Sequence, residues 1–251
     1  LTNERVQGNT YRWLFSKLPS MKCVTLDLDS TVITRNGQQE GACRGYNPGR
    51  RGRSSHHPLL AFIADFQLVA NFWLRPGNVH SANNVLQFLE STLAHLAGKT
   101  VGLLRADSGF FDDAFLSTLE MKHIPYVVAA KLTHPLQRTI CRARSWWALK
   151  PGIEIVDIEY QAAGWEKARR IIVIRQSISD REPPGKSLSL FPDDPAAKGW
   201  RYSAYVPIPL ISPPDSEGKC HAIPMEVATL FRIMSPLRGR SEATLVFGCL
   251  S

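Results

Sequence analysis

"VTLDLDSTVI", residues 24–33, is the stretch on which the reading of the fold turns. Val24 to Leu28 has the apolar content of a buried strand, and Asp27 and Asp29 stand toward its C-terminal end. Acids at the mouth of a strand are a common way to hold a divalent cation. Ser30 and Thr31 follow, and apolar residues then resume. Which aspartate carries chemistry depends on what the rest of the chain builds around this strand.

Immediately downstream, "RNGQQEGACRGYNPGRRGRSSHHP" from Arg35 to Pro58 is loop or hairpin composition. Leu59 to Ile63 and Phe66 to Leu74 are the next strand candidates, the second closed by "RPGN". Ser81 can cap a helix, and Val85, Phe88, Leu89, Leu93 and Leu96 recur at helical spacing across Ala82 to Leu96. "TVGLLR", Thr100 to Arg105, is a short strand that runs out at Ala106 and Asp107. "SGFFDDAFLSTLEMKHI" reads as a second helix, with Asp112 or Asp113 favourable at its start, and "YVVAA" as a further strand. The early strands have turn-rich connections that suit antiparallel pairing, and the later ones have helical crossovers that suit parallel pairing. That is the ribonuclease H-like order: α/β, with a mixed sheet.

Beyond Lys131 the character changes. "RSWWALKPG", "IEIVDIEY", "RRIIVIRQSI" and "WRYSAYVPIPL" read as strands, so Thr133 to about Pro214 is expected to be a β-rich insertion after the fifth strand. Trp146, Trp147, Trp165 and Trp200 are then most simply its core, with stacking on flipped bases as the second reading. "PMEVATLFRIM" has the pattern of a helix.

A chain of 251 residues with 44% hydrophobic content can bury one full core with an inserted subdomain. No apolar run approaches the roughly 20 residues that span a bilayer, so no membrane is expected. Its opening "LTNERVQGNTYRW" has no apolar segment of a secretory signal and no initiating Met, so a fragment is expected. The five cysteines are scattered with no C-x-x-C pair, which points to a reducing cytoplasm rather than a zinc cage or disulfide framework. A net charge of +8 and a pI near 9.4 favour a polyanionic partner, most often nucleic acid.

Two chemistries fit the acids. The letters D-x-D-x-T resemble the haloacid-dehalogenase motif, which would make Asp27 a nucleophile, Asp29 its acid/base and the chain a phosphatase. Against it, the first acidic strand leads into a hairpin rather than a βαβ unit, and no strand-end Ser/Thr followed by that fold's Lys is found. The other chemistry is two-metal phosphodiester cleavage. Asp29 ends the first strand and Asp107 follows the fourth, and in a ribonuclease H-like sheet those strands are neighbours. In that reading Asp27 is expected on the opposite face, as a structural residue.

The ordered blocks "DLDSTV", "GQQEGACRGYNPGRRGRSSHHPLLAF", "RPGNVHSANNVLQFLE" and "LLRADSGFFDDAFLSTLEMKHIPYVVAAK" resemble DDE transposases of bacterial insertion sequences. The nearest group is the IS-thirteen-eighty branch of the IS-four superfamily, and the resemblance runs from about Lys22 to Ile178. It implies a catalytic core at 22–132 and an insertion at 133–214. These are flanked by an N-terminal remnant or linker at 1–21 and a remnant of the catalytic helix region at 215–251. It implies Asp29 and Asp107 as catalytic metal ligands, two Mg²⁺ or Mn²⁺ ions, and cleavage and strand transfer at transposon ends. It further implies double-stranded DNA as partner (transposon ends and target), a dimer when complete, and a bacterial, nucleoid-associated, cytoplasmic location.

The third acid departs from the family pattern, Y-x-x-R-x-x-x-E in a late helix. With Leu237 and Arg240 in place of the Tyr and Arg, the Glu position holds Thr244; with Phe231 as the Tyr, Met234 replaces the Arg and Arg238 the Glu. Glu242 is the nearest acid, two residues off the first register, and Pro236 interrupts the helix. A non-catalytic DNA-binding remnant is therefore a further reading. Arg44, Arg50, Arg51 and Arg53 are candidates for contact with the DNA backbone, against the plain reading of a solvated basic loop. His56 and His57 lack Cys/His partners for zinc, and His80 and Asn83 have no assigned role.

Overall fold

The computed structural model describes residues 2–17, 23–37, 39–80, 82–177 and 199–207. These fall into two compact units that part between Val127 and Val128. The expectations that rest on Glu242, Thr244, Ser81, "PMEVATLFRIM" and the whole of 215–251 lie outside the described residues.

The first unit opens with helix α1 (Thr2–Ser16), where the sequence suggested only a remnant or linker. Phe15 in it is fully buried. Strand β1 (Cys23–Ser30) follows, then three short strands, β2 (Ile33–Thr34), β3 (Cys43–Arg44) and β4 (Ser54–His56). These three form a separate small sheet in the order β2-β4-β3, so the Arg/Gly-rich stretch is folded rather than loose. The backbone of its loop is pressed against the segment after the next strands. A Cβ on Gly45 would lie 1.9 Å from the Gly77 carbonyl oxygen, so only glycine fits there.

The remaining elements of the unit are β5 (Leu59–Ile63), β6 (Leu68–Trp73), α2 (Val85–His95), β7 (Thr100–Ala106), α3 (Asp113–Met121) and β8 (Tyr126–Ala129), which crosses the unit boundary. The strand order is β6-β5-β1-β7-β8. β1 pairs antiparallel with β5 and parallel with β7, and β5 pairs antiparallel with β6, as the connection types implied. Leu26, Leu28, Leu59, Ala61, Ile63 and Leu104 form a buried face of this sheet. Phe88 and Leu89 of α2 and Phe115, Leu116 and Leu119 of α3 are fully buried with it. Burial of each of the Leu, Ile and Phe side chains among them stabilises the fold by about 1.5–3 kcal/mol.

α2 starts later than its apolar spacing suggested. Its N-cap is Asn84, in the left-handed region at φ 61°, with no side-chain capping bond. Asn tolerates that conformation better than most residues. α3 is capped as expected: Asp112 accepts from the Phe115 N–H at 3.2 Å.

The second unit opens with a helix, α4 (His134–Arg142), ahead of the strands that the sequence suggested. Pro135 sits in its first turn, and Leu136 and Ile140 are its buried pair, one turn apart. β9 (Trp147–Lys150), β10 (Ile153–Tyr160), β11 (Arg169–Ser177) and β12 (Trp200–Pro207) follow in the order β12-β11-β10-β9, with antiparallel pairing throughout.

Candidate functional site

The site grows from the register of β1 and β7. Their parallel ladder closes on the pair Leu28–Ala106. Asp29 and Asp107 are each the next residue, so adjacent strands deliver both acids to the same end of the sheet. Asp29 is opposite Leu60 in the ladder with β5, half-buried, and its Oδ1 accepts the Ser30 N–H at 2.7 Å. Asp107 caps the single 3₁₀ turn Ser108–Phe110, accepting the Gly109 N–H at 2.9 Å. Both acids thus also accept a local backbone N–H.

Burial pushes the Asp29 carboxyl up to about 6; the Ser30 N–H opposes this, and the negative charges of Asp107 and Asp27 add to it. Burial and like charges both disfavour the ionised form of such a carboxylate, and a bound cation would favour it. Two aspartates with this chemistry suit Mg²⁺ or Mn²⁺, which take few carboxylates and leave positions for phosphate oxygens and water. Among the described residues no group of three or more His, Cys, Asp or Glu side chains is placed to hold a metal. The third carboxylate considered, Glu242, lies outside the described residues.

Asp27 corrects one reading. Residues two apart in a strand share a face, so Asp27 and Asp29 lie on the same side of β1, not on opposite sides. The expectation of opposite faces miscounted the alternation. What sets Asp27 apart is its partner. It is 4% exposed, and Arg105, its neighbour across the β1–β7 ladder, grips both carboxylate oxygens. Burial raises the Asp27 carboxyl and Arg105 opposes that rise. A carboxylate committed to a guanidinium fork is poorly placed to act as a nucleophile, which removes the local support for the phosphatase reading.

Arg75, which sequence reasoning passed over, organises the ground beside Asp29. It is 6% exposed, and its guanidinium donates to the carbonyls of His57 at 2.9 Å, His80 at 3.2 Å and Asn83 at 2.6 Å. It also donates to the Ser30 hydroxyl at 3.2 Å, the residue next to Asp29. Burial pulls the guanidinium down to about 10. The available signal was an arginine inside the apolar run "NFWLRP", just before the turn. His57 is buried alongside, with Nδ1 at 2.7 Å from the Val79 carbonyl oxygen, and burial lowers its pKa. His80 supplies a carbonyl to this clamp and its Nδ1 accepts the Ala82 N–H at 3.2 Å. Asn83 also contributes a carbonyl, which gives both residues a part the sequence did not assign.

Arg44, Arg50, Arg51 and Arg53 are all exposed, on and beside the small sheet. None makes an ion pair among the described residues. The tryptophans are not the core of the second unit. Trp147 is 51% exposed, and Trp146, Trp165 and Trp200 are half-buried. Their faces are taken by arginines: Arg175 lies 4.0 Å from the Trp146 centroid and 4.5 Å from that of Trp200, and Arg169 lies 4.9 Å from that of Trp165.

The family model described as transposase DDE domain group 1 matches residues 9–182, more than half of the chain. No curated protein matches the sequence. Among solved structures, a chain of the cryo-EM structure of a piggyBac transposase synaptic complex with hairpin DNA is similar at 11% identity and a TM-score of 0.42. The match covers 74% of this chain and 33% of that one, so this chain spans about a third of that relative's length. No helix among the described residues is long and apolar enough to cross a membrane.

Proposed function

Because the chain belongs to the transposase DDE domain family, group 1, we propose that it carries the catalytic core of a DNA transposase. The reaction would be metal-dependent phosphodiester cleavage at transposon ends, followed by strand transfer to target DNA. The observation that carries this is the shared end of β1 and β7, where Asp29 and Asp107 stand next to each other with Asp29 raised to about 6. Domains of this family generally use divalent metal ions. Asp29 and Asp107 are the residues that would hold them, in a two-metal site with Mg²⁺ or Mn²⁺. When bound, such ions supply Lewis-acid activation of an attacking oxygen and stabilisation of a leaving one.

The chain's own residues have separable tasks. Asp29 and Asp107 would present carboxylate oxygens to the metal at the shared strand end. Asp27 is paired with Arg105 across the β1–β7 ladder and serves a structural role. Arg75 fixes Ser30, and through it the backbone that aims Asp29. Arg44, Arg50, Arg51 and Arg53 would contact backbone phosphates, and Glu242 is the candidate third acid.

The strand order β6-β5-β1-β7-β8 supports a ribonuclease H-like core, with 22–132 as that core, 133–214 as insertion and 215–251 as its late helix region. The ordered sequence blocks support the IS-thirteen-eighty branch. The partners would be double-stranded transposon ends and target DNA, with a dimer as the complete assembly in a bacterial cytoplasm.

The test is nicking of supercoiled DNA by the chain with Mg²⁺ or Mn²⁺. Activity lost in Asp29→Asn and Asp107→Asn, but kept per folded molecule in Asp27→Asn, supports the assignment. Phosphatase activity that depends on Asp27 contradicts it, and DNA retention without cleavage under either metal favours a non-catalytic remnant.

A further inference from the structure

The segment from Lys131 to Ile153 contains Lys131, Arg138, Arg142, Arg144 and Lys150 and neither Asp nor Glu. It includes α4, whose inner side is Leu136 at 0% and Ile140 at 1% exposure. Lys131, Arg138, Arg142 and Arg144 are exposed. None of these four takes part in an ion pair among the described residues. The second unit does have carboxylates, and it uses them on other arginines: Asp157 pairs with Arg170 at 2.6 Å, and Glu154 with Arg175. The α4 cations are thus left to solvent while their neighbours are matched.

A plain solvated helix face does not account for this. Such faces usually carry both signs, with acids and bases one turn apart. The helix dipole favours a cation in the last turn, which explains Arg142 alone. It leaves Lys131 before the helix, Arg138 in its middle and Arg144 beyond its end.

We propose that this face of α4, with the turns on either side, binds the sugar–phosphate backbone of double-stranded DNA. The proposal rests on the transposase reading above and adds to it a second surface, on the second unit. A rise of about 1.5 Å per residue sets Arg138 and Arg142 about 6 Å apart along the helix. A duplex carries one charge per roughly 1.7 Å of its axis, so both can reach phosphates of one tract. Guanidinium forks match phosphate oxygens, and backbone contacts hold DNA without reading its sequence. The surface therefore positions DNA and does not select it.

The experiment is fluorescence anisotropy of the full 251-residue chain with a labelled duplex of arbitrary sequence, between about 50 and 200 mM salt. The triple variant Arg138→Gln, Arg142→Gln, Arg144→Gln is set against a control of equal charge loss: Lys17→Gln, Lys99→Gln, Lys122→Gln. The expected result is a loss on the order of 10²-fold for the α4 variant near 0.1 M salt, with the salt slope reduced by about 3. The control should move far less, and both variants should melt as the wild type does.

An α4 variant that matches the control, or keeps the wild-type slope, overturns the proposal. So does a wild-type chain that ignores the duplex and binds vesicles of phosphatidylserine and phosphatidylcholine through these arginines. If the chain shows no metal-dependent nicking but the α4 variant still loses duplex affinity and slope, the catalytic reading fails and the surface stands.

Discussion

Arg105 on β7 holds both carboxylate oxygens of Asp27 on β1, Nε to Oδ1 and Nη2 to Oδ2, each at 2.5 Å. The two side chains are 21% and 6% exposed, so neither charge is well solvated without the other. Breaking the pair from one side should cost about 3 kcal/mol, because an uncompensated charge is left in a half-buried site. Asp27→Ala is expected to lower the urea midpoint accordingly. Asp27→Leu combined with Arg105→Met should recover most of the loss. A single substitution without effect on the midpoint would show that the pair is solvated and idle.

Asp29 makes the pH dependence of stability informative. Its carboxyl is raised from 3.8 to about 6 in the folded chain. Below about pH 4 the group is protonated in both states. Between about pH 4 and 6 the folded chain keeps a proton that the unfolded chain has released, so stability falls as pH rises through this window. Asp29→Asn removes that penalty. The variant should be more stable than wild type at pH 7, by roughly 1–2 kcal/mol after allowing for solvent screening. The gain should vanish near pH 4. Thermal melts of the two proteins across this range test it, and a difference that does not change with pH would refute it.

Arg75 should behave as a positioning residue. Lys in its place cannot fork to three carbonyls and the Ser30 hydroxyl together. Arg75→Lys is expected to cost about 2–4 kcal/mol of stability. It should also weaken Mn²⁺ binding more than the equally buried substitution Phe88→Leu does. Equal effects of the two on Mn²⁺ would reduce Arg75 to a packing role.

Gly45 is required by contact rather than by turn geometry. A Cβ there would meet the Gly77 carbonyl oxygen at 1.9 Å. Gly45→Ala should destabilise the small sheet by about 1–3 kcal/mol. Faster amide exchange at Ser54 and Ser55, with little change at Leu26, is the expected signature.

Much of the first unit could be read from the sequence. Leu59–Ile63 is a strand over the residues expected, and Asp112 caps α3 as its position suggested. Those segments announce themselves because period and boundary residues agree. α4 did not, since nine residues with a single buried pair give a weak period beside several tryptophans. The pairing of Asp29 with Asp107 was accessible through strand order, because the chemistry needs neighbouring strands. The roles of Arg105 and Arg75 were not accessible in that way. Each depends on a partner far along the chain, and nothing in the local pattern of an arginine says which carboxylate or carbonyl it will meet. The tryptophans show the same limit: their large apolar area suggested a core, but stacking by Arg175 and Arg169 satisfies them near the surface.

The most direct measurement is Mn²⁺ binding followed by electron paramagnetic resonance, with the chain and its Asp27→Asn, Asp29→Asn and Asp107→Asn variants checked for folding. If Asp29 and Asp107 form the metal pair, binding is lost in both of their variants and persists in Asp27→Asn. Binding that survives in Asp29→Asn and Asp107→Asn, or that disappears only in Asp27→Asn, would contradict the account.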